Sequence, residues 1–135
     1  MDAAIAAEMP HGGWCPKGRV AENGPIPDQY QLQETDSPAY DVRTEANVVD
    51  SDATVVFSIV PSLEGGSLLT AELAARHEKP LLKLHAIMGE EIAAEGLTAF
   101  VKEYQVRVLN VAGPRSTSEP GIYDFVYGVM KKVLA

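Results

Sequence analysis

The feature that most constrains this chain is a continuous β-branched and aromatic run with paired glycines a short turn beyond it. Thr54-Val55-Val56-Phe57-Ser58-Ile59-Val60 has no polar alternation, which is the pattern of a strand covered by helices on both faces. Beyond it, Gly65-Gly66-Ser67-Leu68-Leu69-Thr70 opens a predicted helix. A second run, Val106 to Val111, leads into Asn110-Val111-Ala112-Gly113-Pro114-Arg115. In α/β proteins ligands bind in the crevice outside the carboxyl ends of parallel strands, where loop N–H groups and helix N-termini converge. The two glycine loops therefore predict a small-molecule site.

The remaining periodicities supply the frame. Asp2 to Glu8 is Ala-rich and helix-favouring, and Pro10, Gly12 and Gly13 end it. From Trp14 to Ala39 turn formers dominate, so an ordered loop packed through Trp14, Ile26, Tyr30 and Leu32 is expected. Asp41 to Asp50 reads as a short helix with Arg43 and Asn47 on one face. Ser67 to His77 is helical with Leu68, Leu69 and Leu73 inward, and Leu81 to His85 is a strand. Glu90 to Tyr104 is an amphipathic helix carrying Ile92, Leu97, Phe100, Val101 and Tyr104 inward. The last helix follows the 3.6 period through Ile122, Phe125, Val126, Val129, Met130, Val133 and Leu134. Ser118, Glu119 and Pro120 read as its cap and first turn, and Lys131 and Lys132 suit its C-terminal dipole. Strands alternating with helices predict a single α/β domain over residues 1–135, three-layered and mainly parallel.

Charge and composition narrow the partners. A formal net charge of −8 repels a phosphate backbone at long range and argues against sequence-independent nucleic-acid binding. The longest apolar run, Ala53 to Val60, is far short of the roughly 18 residues a membrane helix needs. Met1 to Pro10 lacks the basic n-region of a signal peptide, and one cysteine forms no internal disulfide. A cytoplasmic setting is the expectation. Among the 11 basic residues, Lys17, Arg19, Arg43 and Arg115 lie in or beside the marked loops, an arrangement suited to one small anion in an acidic protein.

A third stretch, Gly12-Gly13-Trp14-Cys15-Pro16-Lys17-Gly18-Arg19 with Ala21-Glu22-Asn23-Gly24-Pro25-Ile26-Pro27, is too rich in glycine and proline for an ordinary connector. Together with the other loops, Tyr30 through Thr35, Arg43 through Asp52 and Pro120-Gly121-Ile122-Tyr123, it resembles the putative molybdenum carrier family, a Rossmann-like branch of the SLOG group of nucleotide-binding and nucleotide-processing proteins. Members of that family begin with a strand and a Gly-Gly-Gln-Thr-Gly loop, whereas Met1 to Ile5 reads as the middle of the following helix. The resemblance thus implies a Rossmann-like fold short of its first strand. It also implies a carrier holding molybdenum cofactor, a phosphorylated pterin or a nucleotide-like ligand.

On that reading Gly65, Gly66, Ser67, Thr70, Asn110, Gly113 and Arg115 line the cleft, while Lys17, Arg19, Arg43 and Asn47 add charge and orientation. Adjacent glycines let a ligand approach the backbone where a Cβ would block it, although a tight turn accounts for two glycines equally well. Arg115 suits bidentate contact with phosphate or carboxylate. No directly coordinated metal is expected, since His11, His77 and His85 lie far apart in the sequence and a lone Cys15 is more often a small packed side chain.

Two other classes stay open. The related phosphoribohydrolases carry Gly-Gly-x-Gly-Thr-x-x-Glu here, and this chain keeps Glu72 but has Leu68 and Leu69 in place of the second glycine and the threonine. A nucleoside-monophosphate hydrolase using Glu72 is that alternative. The other is a truncated, non-binding oligomeric homologue; a homo-oligomer, dimer or tetramer, is the expected assembly, since association would cover the edge left by a missing strand.

Overall fold

The run read as a doubly covered strand is the centre of the sheet, for all 6 residues of Ala53–Ser58 are buried. The computed structural model describes residues 14–15, 20–21, 24–25, 33–34, 40–63, 65–113 and 121–134. In chain order the elements are β1 (Trp14–Cys15), β2 (Val20–Ala21), β3 (Gly24–Pro25), β4 (Gln33–Glu34), α1 (Tyr40–Val49) and β5 (Ala53–Ser58). They continue with α2 (Gly65–Arg76), β6 (Leu81–His85), a 3-10 turn (Ala86–Met88), α3 (Glu90–Glu103), β7 (Leu109–Ala112) and α4 (Ile122–Leu134).

The sheet runs β6-β5-β7 and is parallel throughout, with Ser58 opposite His85 and Thr54 opposite Asn110. Alternation along β5 divides two layers. Ala53, Val55 and Phe57 face a core built with Leu84, Ala93, Leu97, Phe100, Ile122, Phe125 and Val129 from the α3 and α4 side. On the opposite face α1 and α2 close through Val48, Leu73 and Ala74, with Leu69 and Leu81 against them. A parallel sheet with helices on both faces is the Rossmann-like arrangement expected from the alternation of strands and helices.

Several inward assignments shift. Leu68 is 43% exposed, and α2 instead buries Ser67, Thr70, Ala71, Leu73 and Ala74. On α3, Ile92 is 63% exposed, and Tyr104, which caps its end, is 50% exposed, whereas Ala93, Ala94, Leu97 and Phe100 form the buried stripe. In both helices small residues face the sheet, which lets the helix axis approach closely and turns the larger neighbours outward. Within the stretch read as one loop, β1 pairs with β4 in parallel and β2 with β3 antiparallel. The expectations for residues 1–13 and for the Ser118-Glu119-Pro120 cap lie outside the described residues.

The third strand starts later than Val106 for a local reason. The N–H groups of Arg107 and Val108 both donate to Asp52 Oδ2, at 2.9 Å each, and the Asp52 N–H donates to the Val108 carbonyl at 2.8 Å. The strand ladder therefore begins only at Leu109. The Val108 and Arg107 amides hold the Asp52 carboxyl below its ordinary pKa. A carboxyl lowered in the folded state stabilises it above the unfolded pKa, and that contribution disappears as pH falls through the folded value. Asp52→Asn should accordingly melt below the parent protein at pH 7, with the gap closing on acidification below about pH 4. A pH series of thermal melts that kept a constant gap would show that the clamp contributes through shape and not through charge.

Candidate functional site

The sheet order places a crevice. From β5 the chain leaves to α2 on one face, and from β7 it leaves to α4 on the other, so the carboxyl ends of these neighbouring strands flank a topological switch point. Loops that part to opposite faces leave a gap between them, and ligands of open α/β sheets bind there. Gly65 and Gly66 stand on the β5 side and Gly113 on the β7 side.

Each glycine has its own physical reason. Gly65 takes φ +54°, a left-handed conformation that lets the chain enter α2 abruptly. A Cβ built on Gly66 meets nothing within 4 Å, so that backbone is open to an incoming group. At Gly113 a Cβ would lie 3.3 Å from the Phe57 carbonyl oxygen, so this glycine lets the β7 exit lie against β5. Gly113 thus has a packing role whatever binds beside it.

The first two turns of α2 also carry hydroxyls. Thr70 is buried and donates from Oγ1 to the Gly66 carbonyl at 2.8 Å, so its proton is engaged within the helix. Ser67 is 5% exposed, and its Oγ has no hydrogen-bond partner among the described residues. A buried hydroxyl without a partner carries a desolvation penalty of about 1–3 kcal/mol that a ligand oxygen would relieve. The α2 N-terminus adds N–H groups that no helix carbonyl accepts. Together these groups donate to oxygen, and they suit an anion better than a cation.

Comparison with known proteins bears on this geometry. The model of the "Circularly permutated YpsA SLOG family" matches residues 1–134. The chain belongs to this family. Among solved structures, the crystal structure of a putative molybdenum carrier protein from Syntrophus aciditrophicus SB superposes with a TM-score of 0.96 at 41% identity, over 99% of this chain and 85% of that one. No curated protein matches.

In this SLOG domain the predicted residues divide into three groups. Gly65, Gly66, Ser67 and Thr70 lie in the first two turns of α2, and Gly113 directly follows β7 and rests against Phe57 of β5. Asn110 stands inside β7, not in the loop after it, and its Nδ2 donates to Thr54 Oγ1 at 3.2 Å, which ties β7 to the start of β5 and away from the carboxyl edge. Arg43 and Asn47 are half-buried on α1, whose C-terminus leads into the amino end of β5, so Arg43 is the farther of the two from that end along the helix. Glu72 is exposed on α2. Lys17, Arg19 and Arg115 lie outside the described residues, and Cys15 is described only as part of β1. Among the described residues no group of three or more His, Cys, Asp or Glu is placed to hold a metal ion. No helix among them is long and apolar enough to cross a membrane.

Sequence reasoning did not single out His85. It ends β6 at the carboxyl edge, and its Nδ1 is buried without a partner among the described residues. The missed signal was its position as the last residue of a predicted strand, where side chains border the ligand crevice.

Proposed function

We propose that this protein is a carrier that binds a phosphorylated, pterin- or nucleotide-like ligand at the switch point, with an oxyanion of the ligand against the first turn of α2. The observation that carries the reading is the open Gly66 backbone beside the buried Ser67 hydroxyl, which has no partner among the described residues. The similarity to a protein described as a putative molybdenum carrier supports a carried cargo over a turned-over substrate. Because the groups available are hydrogen-bond donors, molybdenum-containing cargo would be held through its phosphate or oxo oxygens. Gly113 shapes the opposite wall, and Arg43, Lys17, Arg19 and Arg115 are the proposed sources of charge, whereas Asn47, near the amino end of β5, is left out of the site.

The test is a thermal-shift screen against nucleoside mono- and diphosphates, NAD, ADP-ribose, molybdate and molybdopterin compounds. A ligand present at about 100 times its dissociation constant stabilises by roughly 2.7 kcal/mol, a rise of several degrees for a domain of this size. A selective rise that Ser67→Ala and Arg115→Ala both diminish is expected, with no product formed on incubation. A flat profile across the whole panel would overturn the reading, and turnover of a nucleoside monophosphate would replace it with the hydrolase.

A further inference from the structure

Three polar side chains meet the same layer of the fold at the carboxyl edge. Leu82 and Leu84 pack into the α3/α4 core and Leu81 into the α1/α2 layer, so alternation along β6 puts His85 on the α2 face. Ser58 stands in register with it on β5, on the face opposite Phe57. The connection from β5 to β6 is α2 itself, which packs on both strands and turns Ser67 inward. Ser58, His85 and Ser67 are thus gathered beneath the start of α2.

Their hydrogen bonds are unequal. Ser58 is buried and donates from Oγ to the Val60 carbonyl at 2.6 Å, so its proton is committed. Ser67 Oγ and His85 Nδ1 are both buried with no partner among the described residues. His85 precedes the 3-10 turn at Ala86–Met88 yet makes no side-chain capping bond to it, which removes the ordinary local use of such a residue. His77 Nε2 is likewise buried without a hydrogen bond among the described residues, but it stands 4.0 Å from Glu45, just past the end of α2. Ser67 Oγ and His85 Nδ1 instead come from separate elements to the same edge of the sheet, where one ligand oxygen could serve both.

We infer that His85 is a ligand-contacting residue of the proposed site, its Nδ1 hydrogen-bonding an oxygen of the ligand's phosphate or oxo group together with Ser67 Oγ and the α2 amides. The inference rests on the proposed binding reading and adds to it a residue from a third strand. It also narrows the ligand, which must present an oxygen deep enough to reach the α2 face of β6.

The experiment is a titration of the full chain with inorganic phosphate and with AMP, followed by proton–nitrogen NMR of the imidazoles and of the α2 amides. The chain has 3 histidines, so His77 serves as an internal reference, half-buried beside Glu45 at 4.0 Å. The expected result is that the His85 ring nitrogens and the Gly65–Ser67 amides shift along one binding curve while those of His77 stay. Movement of the amides without His85 would overturn this inference and leave the site standing. Stillness of both at millimolar phosphate and AMP would overturn this inference and, together with a flat thermal-shift panel, the binding reading as well. His85→Ala should weaken AMP by about ten- to a hundredfold, the effect of one hydrogen bond to a charged group. His85→Asn, whose amide can occupy the place of Nδ1, should recover part of that loss. If His85→Ala lowers the melting temperature of the ligand-free protein but leaves AMP affinity intact, the residue is structural and the inference fails.

Discussion

Replacing Phe57 by alanine is expected to lower stability by about 3–5 kcal/mol, most of what holds many domains of this size folded. Phe57 is fully buried, and its ring meets that of Phe125 edge-on at 5.7 Å and 80°, within the cluster formed by Leu97, Phe100, Ile122 and Val129. The substitution removes the transfer free energy of a phenyl ring and the edge-to-face contact, and it leaves a cavity that strand and helices on both sides cannot collapse into. Thermal melts should fall by roughly 10–18 °C. Ile92→Ala, on the outward side of α3, should stay within about 0.5 kcal/mol of the parent. Should Phe57→Ala melt within a few degrees of the parent, the α3/α4 face is not the main core. The substitution also reaches the site, since the Phe57 carbonyl is the surface against which Gly113 rests.

The sequence conveyed the strands and helices wherever composition and burial agree. Ala53–Ser58 shows no polar alternation because both faces are covered, and Ile122–Leu134 keeps its period because one face alone is. Reading failed where a small residue does the burying. Ala93 and Ala94 outrank Ile92, and Ser67 and Thr70 outrank Leu68, because closeness to the sheet is set by volume and not by hydrophobicity. The start of β7 was misread because a carboxylate remote in sequence, Asp52, claims two strand-like amides. The glycine positions of the site were legible from their place after strands. What distinguishes them was not: Gly66 stands open, Gly113 is packed on Phe57, and Asn110 is tied to Thr54 within the strand. His85 was invisible for a related reason, because a lone histidine at a strand end acquires meaning only when burial leaves its nitrogen unpartnered.

The substitution that separates site from scaffold is Gly66→Leu. The residue is exposed, a Cβ there meets nothing within 4 Å, and the Thr70 bond to its carbonyl needs only backbone. In the first turn of a helix, leucine for glycine should leave stability unchanged or raise it by up to about 0.8 kcal/mol. The same side chain fills the space through which an oxyanion would reach the α2 amides, so AMP affinity measured by calorimetry should drop at least a hundredfold. Gly65→Leu makes the control, because its φ of +54° imposes a strain of about 1 kcal/mol or more on any larger residue and would lower the melt along with binding. A Gly66→Leu protein that melts like the parent and binds AMP like the parent would put the ligand elsewhere on the fold. Loss of binding at full stability would mean that the paired glycines are retained at a cost in helix propensity so that a ligand can reach the backbone, which a tight turn alone does not require.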